Sequence, residues 1–236
     1  MSDEVLGNEA LVDEIDVARK MASGKQKFMG LELLCGQGAL VPRPETELLA
    51  NTAIGIVRES DSARVVDMCC GAGNLACAIV SHVPQARVWA SDLTDGCVGW
   101  SRKNVAHLGL GDRIEVAQGD LFVGFTGKGL EVTIDLVVCN PPYISTGRLE
   151  AERAPLLDHE PREAFDGGPY GLSIHQRVIK EAVAFLKPRG WLLFEFGLGQ
   201  ERQLRILFDR AKAYENFQLK NNEAGVPRVA LAQVKG

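Results

Sequence analysis

The chain has no basic surplus. Its 236 residues carry 26 Lys and Arg against 31 Asp and Glu, a net charge of −5. Proteins that grip long stretches of nucleic acid neutralise many phosphates and show a strong positive excess. Nucleic acid is therefore not an expected partner, a local basic patch aside. Long hydrophobic runs are missing too. The longest unbroken apolar stretch, Leu75 to Val80, is six residues, far short of the ~20 that span a bilayer, so no membrane partner is expected. The six cysteines include no CxxC pair, although Cys69 and Cys70 are adjacent. That argues against structural zinc and against a disulfide scaffold, and it fits a reducing cytoplasm. Met1 to Asp16 hold acids but no Lys or Arg, unlike a secretory or organellar leader. No repeat of solenoid period is visible. What is there is ordinary: 46% apolar and 24% charged residues, enough to fill the core of one domain with a small appendage.

The pattern changes near residue 44. Before it, Leu11, Ile15, Ala18 and Ala22 recur at helical spacing, which predicts one amphipathic helix. Ser23-Gly24-Lys25 breaks it. Leu31 to Val41, interrupted by Gly36 and Gly38, reads as a short hairpin, and Pro42-Arg43-Pro44 imposes an extended lead-in. Residues 1–44 are thus expected to form a helix-and-hairpin extension placed to act as a lid. Residues 45–236 then alternate. After a helix from Glu45 to Val57, strands are predicted at Arg64–Met68, Arg87–Ala90, Arg113–Ala117, Ile134–Cys139 and Trp191–Phe196. Helices are predicted between them at Leu75–Val83 and Asp95–His107, on the stripe Ile174, Val178, Ala182, Phe185 ended by Lys187-Pro188-Arg189-Gly190, and on the stripe Leu204, Leu207, Phe208, Ala211. Such alternation predicts an α/β fold, a Rossmann-like doubly wound sheet. Two strand-like runs around Gly225-Val226-Pro227 add a C-terminal hairpin. The expected sheet has seven strands, mostly parallel, with one antiparallel. Ligands on such sheets sit beyond the carboxyl ends of the strands, where strand order reverses.

After the first strand of the sheet comes Asp67-Met68-Cys69-Cys70-Gly71-Ala72-Gly73-Asn74. Small residues here let backbone approach a ligand, but the loop alone suits NAD or any adenosine-containing ligand. The acids narrow the choice. Asp92 ends the second strand, where a carboxylate accepts both ribose hydroxyls. Asp120 follows the third strand, positioned to face an adenine amino group. Asp67 lies near a ligand's ammonium or hydroxyl. Plainer roles are open as well, with Asp67 capping the loop and Asp120 starting a turn. A ring of acids repels pyrophosphate and suits a cation, and S-adenosylmethionine carries an ammonium and a sulfonium and no phosphate.

The fourth strand ends in Cys139-Asn140-Pro141-Pro142-Tyr143. Two prolines stiffen the backbone and remove two donors. The Pro141 carbonyl and the Asn140 side-chain oxygen can accept both hydrogens of a planar NH2 group. Tyr143 can stack on that plane and form a cation–π contact with a sulfonium methyl. An amide nitrogen is a poor nucleophile, and holding it in line with the methyl, away from water, is the available route to rate.

On these residues the chain resembles a class I S-adenosylmethionine-dependent methyltransferase. More narrowly it resembles the HemK/PrmC family of glutamine N5-methyltransferases that act on peptide-chain release factors. The likeness runs from Phe28 to the C-terminus. It is carried by Ala39 to Glu47, by Asn140-Pro141-Pro142-Tyr143, by His159 to Gly171, by Glu195-Phe196-Gly197 with Gln200, and by Gly225 with Arg228. The resemblance implies cofactor contacts at the loop from Cys69 to Gly73, at Asp92, at Leu121 and at Asn140, and substrate contacts from Asn140 to Tyr143. Two departures stand out. Cys69 occupies the place of the family's first loop glycine, and Leu121 that of a common aromatic. The family also carries an N-terminal domain of several helices that docks the release factor, whereas the stretch before residue 45 has room for one helix or two short ones. A release factor is therefore disfavoured as partner, and a small-molecule or peptide acceptor is expected.

Arg43 is expected to close over the substrate, or else to pair with Glu45. Asp158, His159 and Glu160 do not make a convincing metal cluster, and no metal is expected. His175 reads as structural or as facing the cleft mouth, and the role of Glu195 stays open. The expected reaction is N-methylation of an amide or amine. The alternatives are cyclisation of S-adenosylmethionine to azetidine-2-carboxylate with release of methylthioadenosine, methylation of a nucleic-acid base, and cofactor binding without catalysis.

Overall fold

A computed structural model describes residues 16–152, 157 and 160–236. Helix α1 is described over residues 16–23. Strands β1 (Lys25–Phe28) and β2 (Leu31–Leu34) form a hairpin, and helix α2 (Glu47–Val57) follows. Then come β3 (Ala63–Met68), α3 (Asn74–His82), β4 (Ala86–Asp92), α4 (Asp95–His107), β5 (Ile114–Gln118) and β6 (Ile134–Cys139). The chain continues through α5 (Thr146–Glu152), α6 (Ser173–Glu181), β7 (Leu186–Glu195), α7 (Glu201–Ala211), β8 (Tyr214–Asn221) and β9 (Pro227–Val234).

The large sheet has the order β5-β4-β3-β6-β7-β9-β8. Its pairs are parallel except those made by β9. This is the expected Rossmann-like sheet, with one antiparallel strand in a C-terminal hairpin. Alternate residues of the central strands serve opposite faces, as a period of two requires. Leu136 and Val138 of β6 join the apolar cluster of α2 and α3, while Val137 and Cys139 join that of α6 and α7. Strand order reverses between β3 and β6, so the crevice opens at their carboxyl ends.

The N-terminal stretch departs from expectation. The hairpin turns at Met29-Gly30 and pairs Phe28 with Leu31, so Lys25 starts a strand instead of ending a helix. Met29 and Gly30 both hold positive φ, 49° and 78°, the twist that two-residue hairpin turns require. Phe28 and Leu33 enter the same apolar cluster as α2, and Asn104 of α4 brackets Leu34 by accepting from its N–H at 2.7 Å and donating to its carbonyl at 3.0 Å. In α1 the buried residues are Val17 with Met21 beside it, not the expected Ala18 and Ala22. Leu11 and Ile15 lie outside the described residues.

The helix expected to continue to Phe185 also ends early. α6 stops at Glu181 and tightens into a 3-10 turn at Ala182–Ala184. Lys187 to Gly190, expected as a helix stop, lies inside β7 as an irregularity between the pairs Ile134–Leu186 and Leu136–Trp191. A bulge tolerates Pro188, which cannot donate to a ladder. Among the described residues no helix is long and apolar enough to cross a membrane.

Candidate active site

A cavity of about 340 Å³ lies beyond the carboxyl ends of β3, β4 and β6. Its wall includes Cys69 and Gly71 after β3, Asp92 at the end of β4, Leu121 after β5, and Asn140 and Pro142 after β6. Four separate βα connections therefore converge, as the switch point dictates.

The loop after β3 is built on left-handed backbone: φ is 55° at Cys69, 54° at Gly71 and 78° at Gly73. Cys69 thus keeps the conformation for which glycine is the easy choice, at a strain of about 1–2 kcal/mol. Leu121, the other departure from the family pattern, also has positive φ, 51°. Strain of this kind gathers at functional sites. The Cys69 thiol is held in its neutral form by a hydrogen bond with Cys139 and by burial. Gly71 donates its N–H to Asp92 Oδ2 at 2.9 Å, and Thr94 N–H reaches Oδ1 at 3.3 Å. A carboxylate retains lone pairs for two further donors, so Asp92 can still take a pair of hydroxyls. Asp92→Ala is expected to weaken S-adenosylmethionine binding by about 1.5–3 kcal/mol, roughly ten- to a hundredfold. Calorimetric titration checks this, and undiminished affinity would contradict it.

Of the residues expected on the cofactor, Asp67 and Gly73 lie off the cavity wall, and Asp120 is on it but paired. Asp67 is fully buried behind the loop, off the cavity wall. Its Oδ2 accepts the Ala76 N–H at 2.9 Å, capping α3, and burial pushes its pKa up to about 8. That is the plainer of its two roles. Gly73 is also off the wall; a Cβ there would lie 2.6 Å from Ser101 Oγ, so its smallness serves packing against α4. Asp120 lines the cavity but its Oδ1 accepts from Arg177 at 2.9 Å, and it is half exposed.

The Asn140 corner is clamped on both sides. Ile144 N–H donates to the Phe165 carbonyl at 3.0 Å and Gly167 N–H to the Ile144 carbonyl at 2.8 Å. Gln200 Nε2 donates to the Tyr143 carbonyl at 2.9 Å. A Cβ on Gly171 would lie 2.3 Å from that carbonyl oxygen, which is why the loop before α6 needs glycine there. Asn140 and Pro142 line the cavity, but Pro141 is buried and, like Tyr143, off the wall. The Tyr143 hydroxyl donates to Glu195 Oε1 at 3.2 Å and accepts from Arg228 at 3.3 Å. The cation over its ring, at 5.7 Å, is the Arg228 guanidinium. Tyr143 is thus anchored by Glu195 and Arg228, with its ring off the cavity wall.

Asn140 Nδ2 donates to Thr46 Oγ1 at 3.1 Å, and Thr46 donates to Glu195 Oε2 at 2.8 Å. With Nδ2 so engaged, Oδ1 is the end left to face the cavity. Glu195 is 2% exposed, and burial lifts its pKa to about 7. Neither role is legible in the sequence, where Glu195 stands out as an acid ending an apolar strand within the Glu195-Phe196-Gly197 stretch, and Thr46 as part of the Ala39–Glu47 stretch. His175 is fully buried, touches the Glu195 carbonyl through Nε2 at 2.9 Å, and is kept neutral by burial with a pKa down to about 4. It is a buried structural residue and does not face the cleft mouth.

Arg43 lines the cavity but is paired with Glu160, not Glu45: Nη2 to Oε2 is 2.6 Å, and Val41 N–H reaches Oε1 at 2.7 Å. In the sequence Glu160 stands beside Asp158 and His159 and within the His159–Gly171 stretch, with nothing that pairs it with Arg43. The pair is buried, 9% and 1% exposed at the side chains, and ties the strap before α2 to the loop after α5. Asp158 and His159 lie outside the described residues.

Comparison with known proteins points to methyltransferases. The methyltransferase small domain family matches residues 45–155. A release factor glutamine methyltransferase of Moorella thermoacetica is 32% identical, over 89% of this chain and 72% of its own length. The protein of the same name from Geobacter sulfurreducens is also 32% identical, over 89% and 71%. Among solved structures, a release-factor-specific protein-(glutamine-N5) methyltransferase from Alicyclobacillus acidocaldarius superposes with a TM-score of 0.52 at 21% identity, over 83% of this chain and 95% of that one. A methyltransferase from Pyrococcus furiosus gives 0.63 at 15%, over 97% and 98%. At such identities the structures speak for the fold alone.

The cavity fits S-adenosylmethionine. Its volume is within the usual range for a ligand of this size, about 300–1,000 Å³. The two arginines on the wall are neutralised, Arg43 by Glu160 and Arg162 by Glu150 and Asp166, while Asp92 faces the cavity. A cationic ligand suits these walls and a pyrophosphate does not. Asp92 and the left-handed loop would hold the nucleoside and amino-acid ends, with Leu121 against the base.

Proposed function

The chain belongs to the release factor glutamine methyltransferase family, and from that premise we propose that it methylates the side-chain amide nitrogen of a glutamine presented by a protein or peptide. It is an S-adenosylmethionine-dependent N-methyltransferase. The bound cofactor supplies an electrophilic methyl group on a sulfonium. The observation that carries the acceptor reading is the hydrogen-bond chain that turns Asn140 Oδ1 to the cavity. That oxygen accepts one amide hydrogen and holds the acceptor's plane, while the clamped Pro141-Pro142 backbone prevents the corner from yielding. The shared name of the relatives moves a release factor ahead of a free small amide, against the expectation from the short N-terminal stretch. In this reading the strap that carries Leu40, Pro42 and Arg43 onto the cavity wall acts as a cover over the site. The six free thiols support a reducing cytoplasm as its setting.

The test is incubation with S-adenosylmethionine and a glutamine-bearing peptide or intact release factor, followed by tandem mass spectrometry. The expected result is one methyl on the glutamine side chain with S-adenosylhomocysteine as co-product. No modified glutamine in any acceptor would overturn the reading.

A second reading starts from the Glu160 lock, which fixes the strap carrying Arg43 at the cavity wall. A fixed strap there also suits a reaction with no second substrate. Attack of the α-amino nitrogen of S-adenosylmethionine on its own γ-carbon, with cleavage of the C–S bond and loss of one proton, gives azetidine-2-carboxylate and methylthioadenosine. Methylthioadenosine formed without added acceptor would support it; no consumption of S-adenosylmethionine alone would exclude it.

A further inference from the structure

We infer that Glu195 is a positioning residue for the acceptor: acting through Thr46, it decides which end of the Asn140 carboxamide faces the cavity. The inference rests on the reading above, in which Asn140 grips an amide. The Thr46 hydroxyl has a single hydrogen. Ionised Glu195 can only accept, so the 2.8 Å contact at Oε2 takes that hydrogen. Thr46 Oγ1 is then left as an acceptor toward Asn140, 3.1 Å away. The group facing it must be the NH2, and the carbonyl end must turn to the cavity. If Oε2 carried a proton, the polarity would reverse. Glu195 would donate to Thr46, Thr46 to Asn140 Oδ1, and the flipped carboxamide would offer an NH2 to a substrate NH2. Two donors make no bond.

The rest of the environment holds Glu195 in place and sets its charge. Oε1 accepts from Tyr143 at 3.2 Å, and Arg228 lies 4.0 Å away and favours the anion. Glu45 opposes it, as does burial, and neutral His175 touches only the backbone carbonyl. The balance leaves the carboxyl titrating at about 7. Its ordinary value is 4.5, so the folded state favours the protonated form. The corresponding stability is fully present below pH 4.5 and is lost as pH rises toward 7. Turnover is expected to run the other way, rising through the same region as Asn140 turns into register.

The experiment compares the full-length wild type with Glu195→Gln, Glu195→Ala, Thr46→Val and Thr46→Ser. Acceptor kcat is expected to fall about a hundredfold in Glu195→Ala and Thr46→Val, as a misplaced group costs, and Thr46→Ser recovers most of the loss. Glu195→Gln can still offer an oxygen to Thr46 but does not titrate, so its kcat is flat where the wild type rises with a midpoint near neutrality. A purely structural role would shift melting temperature and cofactor affinity but would leave that pH limb in place. An independent readout needs no turnover. The Asn140 side-chain amide protons, followed by NMR, show one hydrogen-bonded and slowly exchanging in the wild type above pH 7 and lose that protection in Thr46→Val and Glu195→Ala. An unchanged Asn140 signal together with an unchanged pH limb in Glu195→Gln overturns the inference. A responsive Asn140 signal in an enzyme that methylates no glutamine supports the positioning role and overturns the reaction.

Discussion

Asn140→Ala lowers turnover of a glutamine acceptor by about 10²–10³-fold, the cost of removing one aimed polar group from a reacting centre. The loss falls on kcat more than on KM, because Oδ1 matters most when the amide plane must be held in line with the transferred methyl. Two effects combine. The acceptor loses the oxygen that orients it, and Thr46 Oγ1 loses the donor at 3.1 Å that closes the chain to Glu195. Asn140→Asp separates them. It keeps an acceptor oxygen but brings an anion toward buried Glu195 and gives Thr46 nothing to accept, so it should recover little. Steady-state kinetics with the peptide acceptor decide the matter, and an Asn140→Ala enzyme with full turnover would sink the mechanism.

Glu160→Ala destabilises the folded chain by about 3–5 kcal/mol, because it leaves a buried cation without its anion. The loss is larger than that of an exposed pair because Arg43 is itself only 8% exposed. Val41 N–H loses its acceptor at the same time. Urea unfolding should show a lower midpoint with an unchanged slope, and hydrogen exchange should show early release of Val41 N–H, since the strap opens at lower cost than the sheet. Replacing both partners by apolar residues, Arg43→Met with Glu160→Leu, removes the stranded charge and should cost less than Glu160→Ala alone. An equal or greater loss in the double variant would show that the pair acts through something other than its charge.

These residues also mark how far sequence could be read. The alternation of β-branched runs with helical stripes carries the sheet, because a period of two or of 3.6 is written locally. The Asp92 and Asn140 positions follow from it, since strand ends at a switch point are topologically defined. Boundaries that depend on neighbours were not legible. Lys187 to Gly190 looks like a helix stop, yet β6 on one side accepts it as a bulge in β7. Ala18 and Ala22 look like a buried stripe, but the surface offered by Cys35 and Val41 receives Val17 instead.

By itself, then, the amino-acid order determined the kind of fold, the four connections that meet at the cavity, the cationic character of the ligand and the place of the Asn140 corner at the end of β6, because each is set by local composition and spacing. Tertiary structure alone decided the partners of the polar groups. Thr46, Asn140 and Glu195 are separated by 94 and 149 residues along the chain, and Arg43 and Glu160 by 117. No pattern within a segment can register contacts at such separations. A buried donor or acceptor needs a partner wherever the fold can supply one, and here the fold supplied it from strands and loops far apart in sequence.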